Sequence, residues 1–388
     1  MYRILTLNNL SARGLERLPS ERYQIGPDVA SPDAILVRSA DMHSRELPSS
    51  VLAVGRAGAG VNNIPVAALS RRGVPVFNAP GANANAVKEL VLAGLFLAAR
   101  NICPAWSFAR GLGGDDKAID EAVEQGKKKF VGFEVPGRAL GVVGLGAVGV
   151  EVANSALALG MRVLGYDPQI TVRRAWQLSA SVEQAVSLED LFGRSDVVTV
   201  HVPLNGETRA LVNEARLKLM RKGGVLLNFA RAPIVDGAAV VAALDAGQLR
   251  AYVCDFPSNA LKDHAKVVAL PHLGASTVEA EENCAVMVAD TVREYLENGN
   301  VRHSVNYPEA ILPRVTGATR LAIANSNVPN MVGQISTCLA SAGLNIADLL
   351  NKSSGEYAYT LIDTDGAVSE ELLTRIRRIQ GVLSARVV

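Results

Sequence analysis

Apolar residues fall in short runs separated by longer amphipathic stretches, and this alternation occurs in two series. The first predicts strands at Tyr2–Leu7, Ala34–Val37, Val51–Gly55 and Val74–Asn78. The second predicts Leu140–Val143, Arg162–Tyr166, Val197–His201, Val225–Asn228, Ala251–Cys254 and Val267–Ala269. Short apolar strands alternating with helical segments imply parallel sheets covered by helices on both faces. The stretch Gly111–Gly137 between the series is charged and rich in glycine, with Lys127-Lys128-Lys129 inside it, and predicts a loop and crossover. The amphipathic run Thr277–Asn298 predicts a long helix stopped by Gly299, which returns the chain to the first lobe. Tyr307-Pro308 and Leu312-Pro313 then predict a linker. Beyond it the pattern gives strand Arg320–Ala324, helix Met331–Ala342, strands Ile346–Ser353 and Tyr357–Asp363, helix Glu370–Ile379 and strand Leu383–Val388. This βαββαβ order predicts a small ferredoxin-like module. The expected domains are residues 1–95, completed by 277–305; 96–276; a linker at 306–317; and 318–388. A cleft is expected between the two α/β lobes.

Composition narrows the classes. A chain of 388 residues with formal net charge +1 gives no electrostatic case for nucleic acid or an acidic membrane surface. Cys103, Cys254, Cys284 and Cys338 are scattered without CxxC pairing or metal spacing, so reduced thiols in a cytoplasmic protein and no metal are expected. The start Met1-Tyr-Arg-Ile-Leu-Thr-Leu reads as a strand rather than a secretion signal, and no apolar stretch has the length of a membrane span.

The strongest motif is Gly144-Leu-Gly146-Ala-Val-Gly149, entered from an apolar strand, left through a helical run, and followed after the next strand by Asp167. A dinucleotide-binding βαβ unit has this order. Gly144 permits the turn, Gly146 lets backbone approach a pyrophosphate at a helix N-terminus, and Gly149 lets helix pack on strand. Asp167 can accept from a ribose and would repel a 2′-phosphate, which favours NAD over NADP; Arg173 and Arg174 keep the second open. The second lobe is therefore expected to be a Rossmann fold, and the first a flavodoxin-like doubly wound sheet. Three further segments follow strand ends of the second lobe, where such sheets bind ligands: His201-Val-Pro203, Asn228 to Asp236 around Arg231, and Pro271-His272 to Thr277. A guanidinium at Arg231 can hold a 2-hydroxy acid's carboxylate through two parallel hydrogen bonds. An imidazole at His272 can take the hydroxyl proton as hydride leaves the same carbon. His201, with no acid or arginine near it in sequence, is expected to line the cofactor cleft.

These segments, with Val54-Gly-Arg-Ala-Gly-Ala-Gly-Val61 and Val76-Phe-Asn-Ala-Pro80, resemble the D-isomer-specific 2-hydroxyacid dehydrogenase family over nearly the whole chain. The terminal module resembles an ACT regulatory domain, which several phosphoglycerate-oxidising members carry. The resemblance implies NAD-dependent oxidation of 3-phosphoglycerate to 3-phosphohydroxypyruvate, the first step of serine synthesis, by a homodimer or homotetramer. It implies that Arg231 binds the carboxylate and His272 is the acid/base. Ala147, Val148, Asp167, His201, Pro203, Phe229, Ala230, Asp255, Gly274 and Ala275 are implied to meet NAD, and Arg38, Arg56, Asn83 and Lys88 the substrate. The family's catalytic glutamate is missing: Asn259 follows Phe256-Pro-Ser258 where it is expected, so Asn259 serves as a neutral orienter, or Lys88, Lys262 or Asp263 stands in. In the module, Asn325, Asn327 and Asn345 occupy places where serine-regulated members carry polar side chains, while Asn330 replaces a glycine that usually opens the helix. Two other readings remain: a dehydrogenase of an unphosphorylated acid such as glycerate, and a non-catalytic NAD-sensing binding protein.

Overall fold

A computed structural model describes all 388 residues. The chain divides into two compact units, residues 1–83 with 278–388, and residues 84–277. The first contains a five-stranded sheet of β1 (Tyr2–Leu7), β2 (Tyr23–Gly26), β3 (Ala34–Val37), β4 (Ala53–Arg56) and β5 (Val76–Phe77). All its pairings are parallel, in the order β2-β1-β3-β4-β5 of a flavodoxin-like sheet. Its central strand β3 is apolar and buried throughout, as burial on both faces requires, and Ile4, Ala34, Leu36 and Ala53 have no more than 1% exposure. The helix Val278–Asn298 covers one face through Cys284, Val288, Val292 and Tyr295, at the three-to-four-residue spacing of a helix stripe.

The same unit includes the terminal module. Its strands β13 (Thr319–Ser326), β14 (Ile346–Ser354), β15 (Tyr357–Thr364) and β16 (Val382–Val387) pair antiparallel in the order β14-β15-β13-β16, with helices Met331–Ser341 and Glu370–Arg377. This is the expected βαββαβ arrangement. Asn330, just before the first helix, has φ 62°, a left-handed conformation that asparagine tolerates better than most residues; that explains its presence where glycine is usual.

Within the expected linker, Tyr307, Ala310 and Leu312 are buried in one core with Phe77, Tyr295, Ala322 and Tyr359, so its first half packs on the fold, while residues 313–317 are exposed. Tyr307 donates its hydroxyl to the Ser70 carbonyl at 2.7 Å, and Tyr359 to that of Gly299 at 2.8 Å. Arg320, fully buried, forms a bidentate pair with Asp363 at 2.6 and 2.7 Å. Its remaining protons go to the carbonyls of Asn298, Leu312 and Pro313. Burial alone would raise the Asp363 carboxyl, but hydrogen bonds from Arg320 and the Val315 amide hold it below the usual carboxylate range.

The second unit is a seven-stranded parallel sheet of β6 (Ala139–Val143), β7 (Arg162–Tyr166), β8 (Glu183–Gln184), β9 (Val197–Val200), β10 (Gly224–Asn228), β11 (Leu249–Cys254) and β12 (Val267–Ala269). The order β12-β11-β10-β9-β6-β7-β8 is that of a Rossmann sheet with one added strand, and its direction reverses between β6 and β9. The helix Ala84–Ala99, which the sequence reading gives largely to the first lobe, belongs to this unit: its Val87, Val91 and Leu95 share a core with Val142, Phe229 and Val253. The stretch expected as a loop and crossover contains the helix Asp116–Gly126, whose N-cap Asp115 accepts from the Ala118 amide, and a 3-10 turn Lys127–Phe130. That helix fully buries only Gly126, and its apolar stripe of Ala118, Ile119, Ala122 and Val123 is short.

Candidate active site

The candidate residues of the second unit emerge from one row across its sheet. Tyr166, Val143 and Val200 are in register, and so are Val200, Asn228, Cys254 and Ala269. Asp167, Gly144, His201 and Asp255 each follow a member of this row by one residue; Arg231 and His272 follow Asn228 and Ala269 by three. A parallel sheet sends every such segment off the same edge, so residues far apart in sequence reach one rim.

At the β6 turn Gly144 has φ 90°, and a Cβ on Gly149 would lie 1.9 Å from the Gly144 carbonyl oxygen, so neither position admits a side chain without movement. The helix Ala147–Ala158 starts there, and its first-turn N–H groups lack intrahelical acceptors. Nothing lies within 4 Å of a Cβ built on Gly146. In front of the turn is a cavity of about 380 Å³ lined by Gly144, Gly146, Asp167, His201, Pro203 and Thr208, among others. Asp167 accepts from the Leu145 amide through Oδ2 and the Gln169 amide through Oδ1, at 2.8 and 2.9 Å, leaving a lone pair on each oxygen for a ribose. The lining contains Asp167 and Glu207 but no lysine or arginine, an arrangement that suits NAD and disfavours a 2′-phosphate. Burial pushes the His201 imidazole down to about 3, and its Nε2 lies 2.9 Å from the Thr199 hydroxyl. His201 is thus neutral at physiological pH, a wall of the cavity rather than a proton carrier. The sequence reading missed Asn205 and Thr208; the Asn205 side chain accepts from the amides of Glu207 and Thr208, a turn that Asn-Gly in sequence signals.

Two buried polar residues shape the other half of the rim. Asn228, fully buried, accepts from the Ala230 amide at 3.1 Å and donates to the Arg231 carbonyl at 3.0 Å, which fixes the turn carrying Arg231. The exposed Arg231 guanidinium makes one hydrogen bond, from Nη1 to the Ala230 carbonyl. Asp255, 1% exposed, accepts the Leu273 amide on Oδ1 and the Gly274 amide on Oδ2, both at 2.7 Å, and its carbonyl accepts the His272 amide at 3.2 Å. Three consecutive amides are therefore gathered by one residue, and His272 takes φ 58°. In this structure Asp255 positions the His272 loop through both carboxylate oxygens. The Phe229 side chain is 6% exposed and packs in the core. Ala147, Val148, Ala230, Gly274 and Ala275 belong to segments leaving the same edge.

His272 is exposed, its ring edge-on to Phe256 at 5.3 Å, and neither ring nitrogen has a hydrogen-bond partner. Asn259 is exposed in the turn after Phe256 and makes no hydrogen bond to the His272 ring. The alternatives are engaged elsewhere: Lys262 pairs with Asp263 at 2.5 Å and Lys88 with Glu89 at 3.8 Å. No group of three or more His, Cys, Asp or Glu side chains is placed to hold a metal ion, and no helix is long and apolar enough to cross a membrane.

In the first unit Arg56 is in register with Val37, and its Nε donates to the Arg38 carbonyl at 3.0 Å, so the two cations leave one sheet edge together. Arg38 pairs with Glu281. The structure does not gather Asn325, Asn327 and Asn345 within the subunit: Asn325 pairs with Ala358 near the start of β15, whereas Asn345 bonds Asp365 just past its end. Asn325 is 1% exposed and donates to the Ser326 carbonyl.

Residues 102–274 match the family model described as D-isomer specific 2-hydroxyacid dehydrogenase, NAD binding domain. A D-3-phosphoglycerate dehydrogenase of Haemophilus influenzae is 33% identical over 353 residues, which is 88% of this chain and 82% of that protein. The chain belongs to the D-isomer-specific 2-hydroxyacid dehydrogenase family. A second member named D-3-phosphoglycerate dehydrogenase, from Archaeoglobus fulgidus, is 36% identical over 77% of this chain; the match spans 58% of that longer relative. Among solved structures of the family, the holo form of Rhodotorula graminis D-mandelate dehydrogenase superposes with a TM-score of 0.68 at 25% identity, covering 81% of this chain and 99% of that one. The second unit is the family's NAD-binding domain, and its open glycine turn and cation-free cavity fit that cofactor.

Proposed function

We propose that the protein is an NAD-dependent dehydrogenase that oxidises 3-phospho-D-glycerate to 3-phosphohydroxypyruvate, the reaction for which two of its relatives are named. The observation that carries this reading is the registered row of the second unit, which sends the dinucleotide turn, Arg231 and His272 off one sheet edge. Arg231, with most of its fork uncommitted, holds the substrate carboxylate. His272, with both ring nitrogens open, takes the proton of the C2 hydroxyl as the C2–H bond breaks and C2–O becomes a carbonyl. Bound NAD supplies the hydride acceptor. Asp255 sets the height of the His272 loop by holding its amides, and His201 stays neutral as a wall. Arg38 and Arg56 are the proposed cations for the substrate phosphate, with Asn83 and Lys88 as further contacts. No carboxylate of the second unit assists His272, so the imidazole works without the acid partner usual in the family. Four free thiols support a reducing, cytoplasmic setting. The proposed assembly is a homodimer or homotetramer, with L-serine as the proposed ligand of the terminal module.

The test is NADH consumption with 3-phosphohydroxypyruvate beside hydroxypyruvate. A kcat/KM at least about 100-fold higher for the phosphorylated acid is expected, the scale of one or two charge-assisted contacts. Equal rates would move the protein to dehydrogenases of unphosphorylated acids, and NADH binding without turnover on either would favour the sensor reading.

A further inference from the structure

The second unit has another cavity, at the opposite edge of its sheet. Strands β6, β10, β11 and β12 start at Ala139, Gly224, Leu249 and Val267, and residues at or just before those starts line a space of about 520 Å³ with Gly132 and Phe133. The dinucleotide turn, Arg231 and His272 follow the other ends of these strands. The lining is strongly cationic: Arg138, Arg221, Lys222, Arg250 and Lys266 converge on it, against the single carboxylate of Asp196. That carboxylate is already committed twice, to Arg221 Nη1 at 3.0 Å and to the Ala139 amide at 2.8 Å. In a chain whose basic and acidic residues number 39 and 38, five cations to one acid is a local concentration rather than a reflection of composition.

The cations are organised. The Phe133 ring carries the guanidinium carbon of Arg138 at 4.3 Å and that of Arg250 at 5.5 Å from its centre. Single backbone carbonyls hold three of them: Arg138 Nε donates to Glu134, Arg250 Nη2 to Val131, and Lys266 Nζ to Leu244. Each keeps further protons uncommitted, including both terminal amines of Arg138. Lys222 is exposed and unpaired, and Arg250 Nε is buried with no partner. Gly132, Gly223, Gly224 and Gly247 complete the lining, so no side chain fills the space at those points. Like charges gathered around one cavity repel one another, and an anion among them relieves that repulsion.

We propose that this cavity is a second anion site of the NAD-binding domain, taking a small polyanion with several closely spaced anionic oxygens, a phosphoryl compound or a polycarboxylate. Planar guanidiniums with paired free N–H groups are suited to such oxygens, and the adjacent lysines add unoriented charge. The site does not depend on the oxidoreductase reading, because it shares no residue with that machinery.

The test is titration calorimetry of the full chain saturated with NADH, using pyrophosphate and, separately, citrate. NADH occupies the dinucleotide site, and Lys222→Glu and Arg138→Gln identify which site produces the heat. Saturable binding of at least one anion is expected, weakened about tenfold or more in both variants with NADH affinity unchanged. The preferred anion tells phosphoryl from carboxylate chemistry. Lys222 is exposed and unpaired, so Lys222→Glu keeps the test valid should Arg138→Gln disturb the Phe133 stack. The proposal is overturned if neither anion binds saturably, or if binding is the same in wild type and both variants.

Discussion

Asp255 and Asp363 are both 1% exposed, lie in different units, and solve the same problem in opposite ways. Asp255 is satisfied by backbone amides of the His272 loop. Asp363 is satisfied mainly by Arg320, whose five N–H protons all find acceptors. In the NAD-binding domain neutral donors carry the structural load, and Arg231 and His272 are left open for chemistry. In the first unit an arginine is consumed by the junction between module and lobe. The difference teaches that burial of a carboxylate does not by itself mark a site; what matters is whether its partners leave nearby functional side chains uncommitted.

This contrast can be broken or sharpened by substitution. His272→Ala should lower kcat for 3-phosphohydroxypyruvate reduction by about 10²–10⁴-fold, the usual contribution of a general acid, with the thermal midpoint unmoved. A matching fall in stability would mean that the imidazole is structural. Arg320→Ala should do the reverse, removing about 3–5 kcal/mol from unfolding of the first unit because Asp363 is left buried and unpaired. Denaturant titration of the full chain should show this as an earlier first transition, and an unchanged transition would abolish the distinction. Asp255→Asn lies between them. One loop amide then faces an NH2 group, and about 1–3 kcal/mol is expected, read more in kcat than in melting. If melting takes the whole effect, Asp255 holds the fold and not the geometry of the rim.

Legibility from sequence followed the physics of each segment. The glycine turn and six of the seven strands of the Rossmann sheet were readable, the buried ones because a doubly buried strand must be apolar along its length, as Val197–Val200 is; the exposed edge strand β8 was not. β2 was missed: Tyr23–Gly26 is a short edge strand with Gln24 exposed. The helix Asp116–Gly126 was missed because its apolar stripe, Ala118, Ile119, Ala122 and Val123, is short and set in a charged, glycine-flanked stretch, although Asp115 at its cap offered a signal. The prolines near 308 and 313 read as a linker because spacing cannot show that Tyr307 and Leu312 enter a distant core. In the site, Arg231 and His272 were legible from their positions after strands. The bonds of Asn228 and Asp255 were not, because a polar residue ending a strand looks the same whether it meets ligand or backbone. Serine binding at the three asparagines fares least well within one subunit, since β15 runs between them.

The five-acceptor pattern of Arg320 also bears on how the first unit comes apart. Its protons reach the end of the helix Val278–Asn298, the stretch after Leu312, and β15, so opening any one of these strips acceptors from the same guanidinium. Module, connecting stretch and helix end should open together as a single cooperative unit, with amide protons exchanging at a common rate and no early protease cut at 306–312.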